Sequence, residues 1–452
     1  MRFTITARAI LIMEMRTIGL ETFLPCTTLF SVFLDMKYSN DKISPSFRLK
    51  YTKVLCLKSI FFVLLSSCSF GQPIENRSVG LDPVKMVENA VIVGAQKLNV
   101  VLPMLKHKSV GVVGNQSSLV DGVHLVDTLL YSGVKLKRVF SPEHGFRGDA
   151  DAGEHVSSQV DKKTELSIVS LYGKNKKPTA SQLAGIDVLV FDIQDVGVRF
   201  YTYISTLHYV MEACAENEIS LIVLDRPNPN GHYVDGPVLD LAFKSFVGMH
   251  PVPVVHGMTI AEYAQMINGE KWLNNEAHCN LTVVSCDNYN HNRPYSLPVP
   301  PSPNLRSDLS IQLYPSLCFL EATTVTVGRG TTGPFERYGH PDFSKTAFEF
   351  IPKSGPGSKN PKHKDRVCNG FNLTDSSYQR MYQLDLSFVL NAKNQLKGKV
   401  FVDRSRFFNL LAGNDILLKQ VRSELGEDEI RATWKEGLSA FSLVRTKYLM
   451  YE

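Results

Sequence analysis

The sequence predicts an α/β protein: a doubly wound parallel sheet followed by a second, smaller α/β domain. Three observations carry this. Short apolar runs recur from Val91 onward, each bounded by a polar loop, and helix-period segments separate them, the pattern of parallel strands joined by crossover helices. Beyond a proline-rich stretch the alternation loosens, which divides the chain into 72–295 and a smaller 296–452. At 452 residues the chain is long enough for two to three domains at about 150 residues each.

The elements follow in order. Ser109–Gly114 reads as a buried strand, and His124–Ser132 as a helix stopped by Gly133. Lys137–Phe140 is a strand feeding the loop Ser141–His155. Leu166–Leu171 and Asp187–Phe191 are further strands, separated by a short helix at Ser181–Ala184. In Tyr203–Asn217, the residues Ile204, Leu207, Val210, Met211 and Cys214 form a core-facing stripe. Ile219–Leu224 is a strand ending at Asp225-Arg226. Thr259 and Glu262 form a capping box for a helix running through Ile267, and Leu281–Ser285 is one more strand. Tyr295–Pro303, with Pro298, Pro300, Pro301 and Pro303, cannot be helical and reads as a linker or a rigid wall. Leu317–Leu320 and Val400–Val402 read as strands, Ser354–Lys364 as a surface loop, and Asp415–Leu425 and Glu427–Gly437 as helices.

The first 71 residues have the features of an export leader. Lys50, Lys53 and Lys58 precede the apolar run Ile60–Leu65, which is too short to span a bilayer. Leu65-Ser66-Ser67-Cys68 resembles a bacterial lipobox and would place a lipid anchor on Cys68. Ser69-Phe70-Gly71 fits ordinary cleavage before Gln72. Starting at Met36 would give a leader of conventional length. Either ending predicts an exported protein of a bacterium, periplasmic or anchored to a membrane as a lipoprotein. Nine of the 49 Lys/Arg and four of the 44 Asp/Glu lie in this segment, which leaves 40 of each in the body. A neutral body without a basic stripe gives no support for nucleic-acid binding. The five remaining cysteines (Cys214, Cys279, Cys286, Cys318, Cys368) contain no C-x-x-C and read as core residues, with a disulfide left open.

The chemistry concentrates where apolar strands end. Glu143 to His155 packs two Glu, two His, two Asp, one Arg and three Gly into thirteen residues. So many ionisable groups cannot be buried unpaired, and the glycines suit close backbone approach to a ligand. Glu143-His144; Asp192, Asp195, Arg199, Tyr201 and Tyr203; and Asp225-Arg226 with Asn228 and Asn230 would share one edge of a parallel sheet, where such sheets bind ligands. Glu321 with Arg329 is a fourth candidate. No G-x-G-x-x-G, G-x-x-x-x-G-K-[ST] or G-x-S-x-G occurs, so no cofactor is indicated. Glu143, His144, Asp149, Asp151, Glu154 and His155 could compose a metal site, but their spacing matches neither H-E-x-x-H nor a calcium loop. Two carboxyl groups facing a cleft suit glycoside hydrolysis, with aromatic rings stacking on sugar and Arg199 or Arg329 holding an acidic substituent. A binding protein without turnover and a metal-dependent hydrolase are the alternatives.

Four blocks sharpen this reading: Ser141–Gly148 (S-P-E-H-G-F-R-G), Phe191–Tyr203 (F-D-I-Q-D-V-G-V-R-F-Y-T-Y), Asp225–Pro229 (D-R-P-N-P) and Val327–Thr331 (V-G-R-G-T). Together, and in this order, they resemble the signature blocks of the NamZ-type exo-β-N-acetylmuramidases, with similarity running from about Val91 to Leu449. The resemblance implies a Rossmann-like domain plus a smaller C-terminal one. It also implies removal of terminal β-linked N-acetylmuramic acid from the non-reducing ends of peptidoglycan-derived disaccharides or muropeptides. By position, Glu143 would be the catalytic acid and Glu321 a second catalytic residue. His144, Asp192, Arg199, Tyr201, Tyr203, Arg226, Asn228 and Arg329 would bind substrate. The family more often has Gly where this chain has Ala322.

Overall fold

Alternate residues of each central strand enter two different cores, which is why these strands are apolar throughout rather than half polar. In β1 (Ser109–Gly114) Val110 and Val112 pack into one core and Val113 into the other. In β7 (Val188–Asp192) Val188 and Val190 part in the same way from Leu189 and Phe191. Strands covered on both faces must be apolar on both. The first core is closed by α1 (Leu98–Leu105) and α2 (Leu125–Tyr131), the second by α4 (Tyr203–Glu216) and α5 (Ile260–Gly269). A four-residue helix α3 (Ala180–Leu183) precedes β7.

The computed structural model describes residues 90–143, 145–147, 159–374 and 380–452, all within one compact unit. The leader with Cys68, His144 and the stretch from Asp149 to His155 lie outside the described residues.

The main sheet has seven strands in the order β5-β6-β4-β1-β7-β8-β9, with β4 Lys135–Ser141, β5 Gln159–Val160, β6 Ser167–Ser170, β8 Ser220–Leu224 and β9 Leu281–Val284. Only β5 runs antiparallel to its neighbour. Counted among themselves, the six parallel strands lie in the order 3-2-1-4-5-6, the Rossmann arrangement. The order reverses between β1 and β7, so the loops after β1, β4 and β7 gather at one edge around the switch point. A two-stranded ribbon, β2 (Leu119–Val120) with β3 (Val123–His124), follows β1.

Among the described residues, the C-terminal part joins an antiparallel three-stranded sheet to six α-helices. Its strands are β10 (Arg337–His340), β11 (Phe348–Phe350) and β12 (Cys368–Asn372), in the order β10-β12-β11. The helices are α6 (Asp308–Leu317), α7 (Ser387–Gln395), α8 (Ser405–Ala412), α9 (Ile416–Arg422), α10 (Glu427–Ala432) and α11 (Lys435–Thr446). Its apolar side chains, such as Phe319, Phe408 and Leu417, continue the core that lies under α4 and α5.

Four sequence expectations are corrected. Leu317–Leu320 is the end of α6 running into a 3-10 turn, Cys318–Ala322, because Ser307 caps α6 and starts a helix that carries through Pro315. Val400–Val402 forms no strand and contributes a backbone hydrogen bond, Thr324 N–H to Phe401 O at 2.8 Å. The loop Ser354–Lys364 is not wholly surface: Lys362 is largely buried, its ammonium donating to the carbonyls of Leu320, Glu321, Thr323 and Val325. The single helix expected at Glu427–Gly437 is two, α10 ending at Ala432 and α11 running from Lys435 to Thr446. All five body cysteines are buried free thiols.

Candidate active site

Four chain segments meet over the C-terminal edge of the sheet and enclose about 450 Å3 of empty space, part of it open to solvent. Glu143 stands two residues beyond the end of β4, where Pro142 stops the strand. Tyr201, Thr202 and Tyr203 come from the start of α4, Ser302 and Leu305 from the proline-rich stretch, and Tyr314 from α6. Arg329 and Phe335 arrive on the loop before β10.

The tyrosines are fixed by the loops beside them. Asn115, just past β1, donates from Nδ2 to the Tyr203 hydroxyl at 2.9 Å. The carbonyl of Pro301 accepts from Tyr201 Oη at 2.8 Å, from Gln116 Nε2 at 3.0 Å and, more weakly, from Tyr203 Oη at 3.4 Å. The proline stretch is thus a wall docked on the sheet edge. Edge-to-face contacts pack the rings, with Tyr201 and Tyr203 centred 4.8 Å apart and Tyr314 and Phe335 5.1 Å apart. Burial pushes the Tyr201, Tyr203 and Tyr314 phenols up, so they remain protonated hydrogen-bond donors.

Glu143 is held from two sides. Thr202 Oγ1 donates to Glu143 Oε2 at 3.3 Å, and the Tyr172 hydroxyl hydrogen-bonds the same side chain. Burial, then the Glu143 charge and this hydrogen bond, push the Tyr172 phenol up. Elsewhere in the lining Arg329 grips Glu321 through Nε to Oε1 at 2.8 Å and Nη2 to Oε2 at 2.7 Å, with its guanidinium 5.2 Å from the centre of the Phe335 ring. Gly330 allows this turn: at φ +80° it lies where a Cβ would come 2.4 Å from Lys353 O. One carboxylate and one guanidinium therefore face a pocket otherwise lined mainly by aromatic rings, an arrangement that can protonate a leaving oxygen while stacking on sugar.

Comparison with known proteins agrees with this geometry. The family described as exo-β-N-acetylmuramidase NamZ matches with its N-terminal part over residues 110–309 and its C-terminal part over 312–451. The chain belongs to the NamZ family. It is 38% identical over 367 residues to the peptidoglycan β-N-acetylmuramidase NamZ of Bacillus subtilis (strain 168), covering 77% of this chain and 88% of that protein. Among solved structures it resembles two DUF1343 family proteins from Bacteroides fragilis NCTC 9343. One has a TM-score of 0.74 at 42% identity, covering 80% of this chain and 99% of that one. The other has a TM-score of 0.69 at 28% identity, covering 80% and 100%. The family's two parts meet at 309/312, inside α6.

Against this frame the site residues expected from sequence divide into two groups. Glu143, Tyr201, Tyr203 and Arg329 line the pocket. The others described do not. Asp192 and Arg226 form a buried ion pair beneath it. Arg199 is fully buried, its guanidinium donating to the carbonyls of Pro237, Val252 and Leu411 at 2.7 to 2.8 Å, which joins three segments of the interior. Asn228 donates to Met258 O at 2.8 Å and accepts from Asn230 N–H at 2.8 Å, behind Gly197. Each is a buried structural contact, because its polar atoms satisfy main-chain groups or an ion partner rather than the pocket.

Glu321 does not itself line the pocket, and Arg329 donates to both its oxygens. Ala322 sits buried in the 3-10 turn, where no glycine is required. Asp225 accepts from Tyr451 Oη at 2.5 Å and from the Ala261 amide at the start of α5, and burial raises its carboxyl to about 7. Asn115, which opens an N-x-S sequon, is buried and bonded.

The sequence reading missed Tyr172, Thr202, Ser302, Leu305, Tyr314 and Phe335. Thr202 lay between two chosen tyrosines, and its position at the start of a helix was the available signal. Tyr314 and Phe335 reach the pocket only through the packing of α6 and the following loop, which no local pattern encodes.

Proposed function

We propose that this chain is an exo-acting glycoside hydrolase that releases terminal β-linked N-acetylmuramic acid from the non-reducing ends of peptidoglycan fragments, with Glu143 as general acid. The observation that carries the reading is Glu143 on the wall of an aromatic pocket that Arg329 also lines, in a chain of the NamZ family. A terminal sugar seated against Tyr201, Tyr203 and Tyr314 would have its glycosidic oxygen toward Glu143, which gives that oxygen a proton as its bond to the anomeric carbon breaks; water then supplies the new oxygen on the anomeric carbon, and the proton it sheds restores the acid. Thr202 and Tyr172 hold the carboxyl in one rotamer, so its oxygens are already placed when substrate arrives. The same reading includes export, supported by the leader and the cell-wall substrate, with a lipid anchor on Cys68 or cleavage before Gln72 as its two forms.

The test is release of a chromophore from an aryl β-N-acetylmuramide, together with chromatography of a peptidoglycan digest. Wild type should liberate free N-acetylmuramic acid from chain ends. Glu143→Gln should lose at least about 100-fold in kcat, the usual scale of a general acid, while folding normally. Near wild-type turnover by that variant would remove Glu143 from the role. Tight binding of fragments without any product would favour a binding protein instead.

A further inference from the structure

We propose that Arg329 selects the substrate by binding the carboxylate of the lactyl ether on N-acetylmuramic acid, and that Glu321 is a positioning residue for Arg329. The inference rests on the function proposed above and names the group that reads its substrate.

Arg329 is the one cationic side chain among the described residues lining the pocket. The other arginines of the expected site are unsuitable, since Arg199 and Arg226 are buried and donate to main-chain carbonyls and to Asp192. A guanidinium carries five N–H donors in a planar fork. Glu321 takes Nε–H and one Nη2–H, and no described protein group accepts from Nη1. The opposite edge of the fork therefore remains to meet a carboxylate, a geometry that arginine provides and lysine does not.

Charge favours the same occupant. Around the Glu321–Arg329 pair, Lys362 donates to Glu321 O at 3.0 Å and Arg404 donates to the same carbonyl. Three cations thus surround Glu321, with Asp403 the next acid, and the arm retains one net positive charge. Burial pushes the Glu321 carboxyl up, but Arg329, Lys362 and Arg404 overcome this and hold it below its usual range, so it stays an anion. A carboxylate locked in that state with both oxygens occupied is unsuited to proton donation. Its function is to fix the guanidinium plane, with Phe335 packed beneath. N-acetylglucosamine lacks the lactyl acid and would leave the free edge of the fork unmet, so the pair also disfavours that sugar.

Two readouts test this. In equilibrium titration, wild type should bind N-acetylmuramic acid at least about tenfold more tightly than its lactyl amide or N-acetylglucosamine, and Arg329→Gln should abolish that preference. Arg329→Lys, which keeps the charge without the fork, should retain only part of it. In turnover, Glu321→Gln should raise KM for the acid substrate while kcat stays within a few-fold, and the neutral amide should be little affected. Thermal unfolding of each variant checks that it folds, and the amide comparison on wild type needs no variant at all. An unchanged acid-to-amide ratio in Arg329→Gln, or a wild type indifferent to the amide, overturns the assignment. Selective binding without hydrolysis would overturn the reaction while leaving Arg329 in its role.

Discussion

Asp192 and Arg226 clasp each other at the ends of two adjacent parallel strands, Nε to Oδ1 at 2.5 Å and Nη2 to Oδ2 at 2.9 Å, both essentially without solvent exposure. The pair ties the end of β7 to the end of β8 and sits below the pocket floor. Removing one member strands the other charge in the interior. Asp192→Asn should therefore destabilise the fold by about 3–5 kcal/mol, measured by urea unfolding. A loss below about 1 kcal/mol would mean that water reaches the pair.

Arg199 allows an interior role to be separated from a substrate-binding one. Burial lowers its guanidinium to about 9, and its donors satisfy three carbonyls from distant segments. Arg199→Met should cost about 3 kcal/mol or more, because the carbonyls lose their partners. In whatever fraction remains folded, KM for an aryl β-N-acetylmuramide should stay within about twofold of wild type. A large rise in KM with unchanged stability would return Arg199 to the binding site.

The hydrogen bond from Asn115 to Tyr203 links the loop after β1 to the pocket floor. A double-mutant cycle of Asn115→Ala and Tyr203→Phe should give a coupling of about 1 kcal/mol in stability. Each single variant should also lower kcat/KM, since the ring loses its fixed orientation. Strict additivity would show that the two side chains act independently.

A buried His–Asp neighbourhood sets opposing pH dependences. Burial, helped by the charges of Arg445 and Arg199, lowers His256 to about 3, and burial raises Asp195 to about 7; the two lie 4.0 Å apart. Below the unfolded value of 6.5 only the unfolded chain protonates this histidine, so its contribution to stability falls as pH drops from 6.5 toward 3. Asp195 acts in reverse: its contribution is full below 3.8 and is lost as pH rises through 7. Between pH 4.5 and 6.5, His256→Gln should make stability rise less steeply with pH, by about 1.4 kcal/mol per unit, and Asp195→Asn should make it rise more steeply by a similar amount. Urea unfolding across that range reads both slopes, and equal slopes in all three proteins would contradict the burial of these groups.

The sequence by itself determined the main sheet and one wall of the site. Runs such as Val110–Gly114 and Val188–Phe191 carry no polar side chain, which only a strand covered on both faces requires, and the parallel order then brings Glu143 and Tyr203 to the same edge. Tertiary structure alone decided which polar residues face the pocket and which face inward. Asp192, Arg199, Arg226 and Asn228 look as catalytic in sequence as Glu143 does, because a buried polar side chain and a functional one share the same chemistry and differ only in what stands within 3 Å. For these four the partners are an ion mate or main-chain groups brought from distant segments, as with Arg199 and Leu411. Glu321 and Arg329 show the same limit at short range. They lie eight residues apart in the chain, yet only the 3-10 turn before Thr323 and the left-handed Gly330 make the pair one clamp, with Arg329 on the wall of the pocket that Glu143 lines.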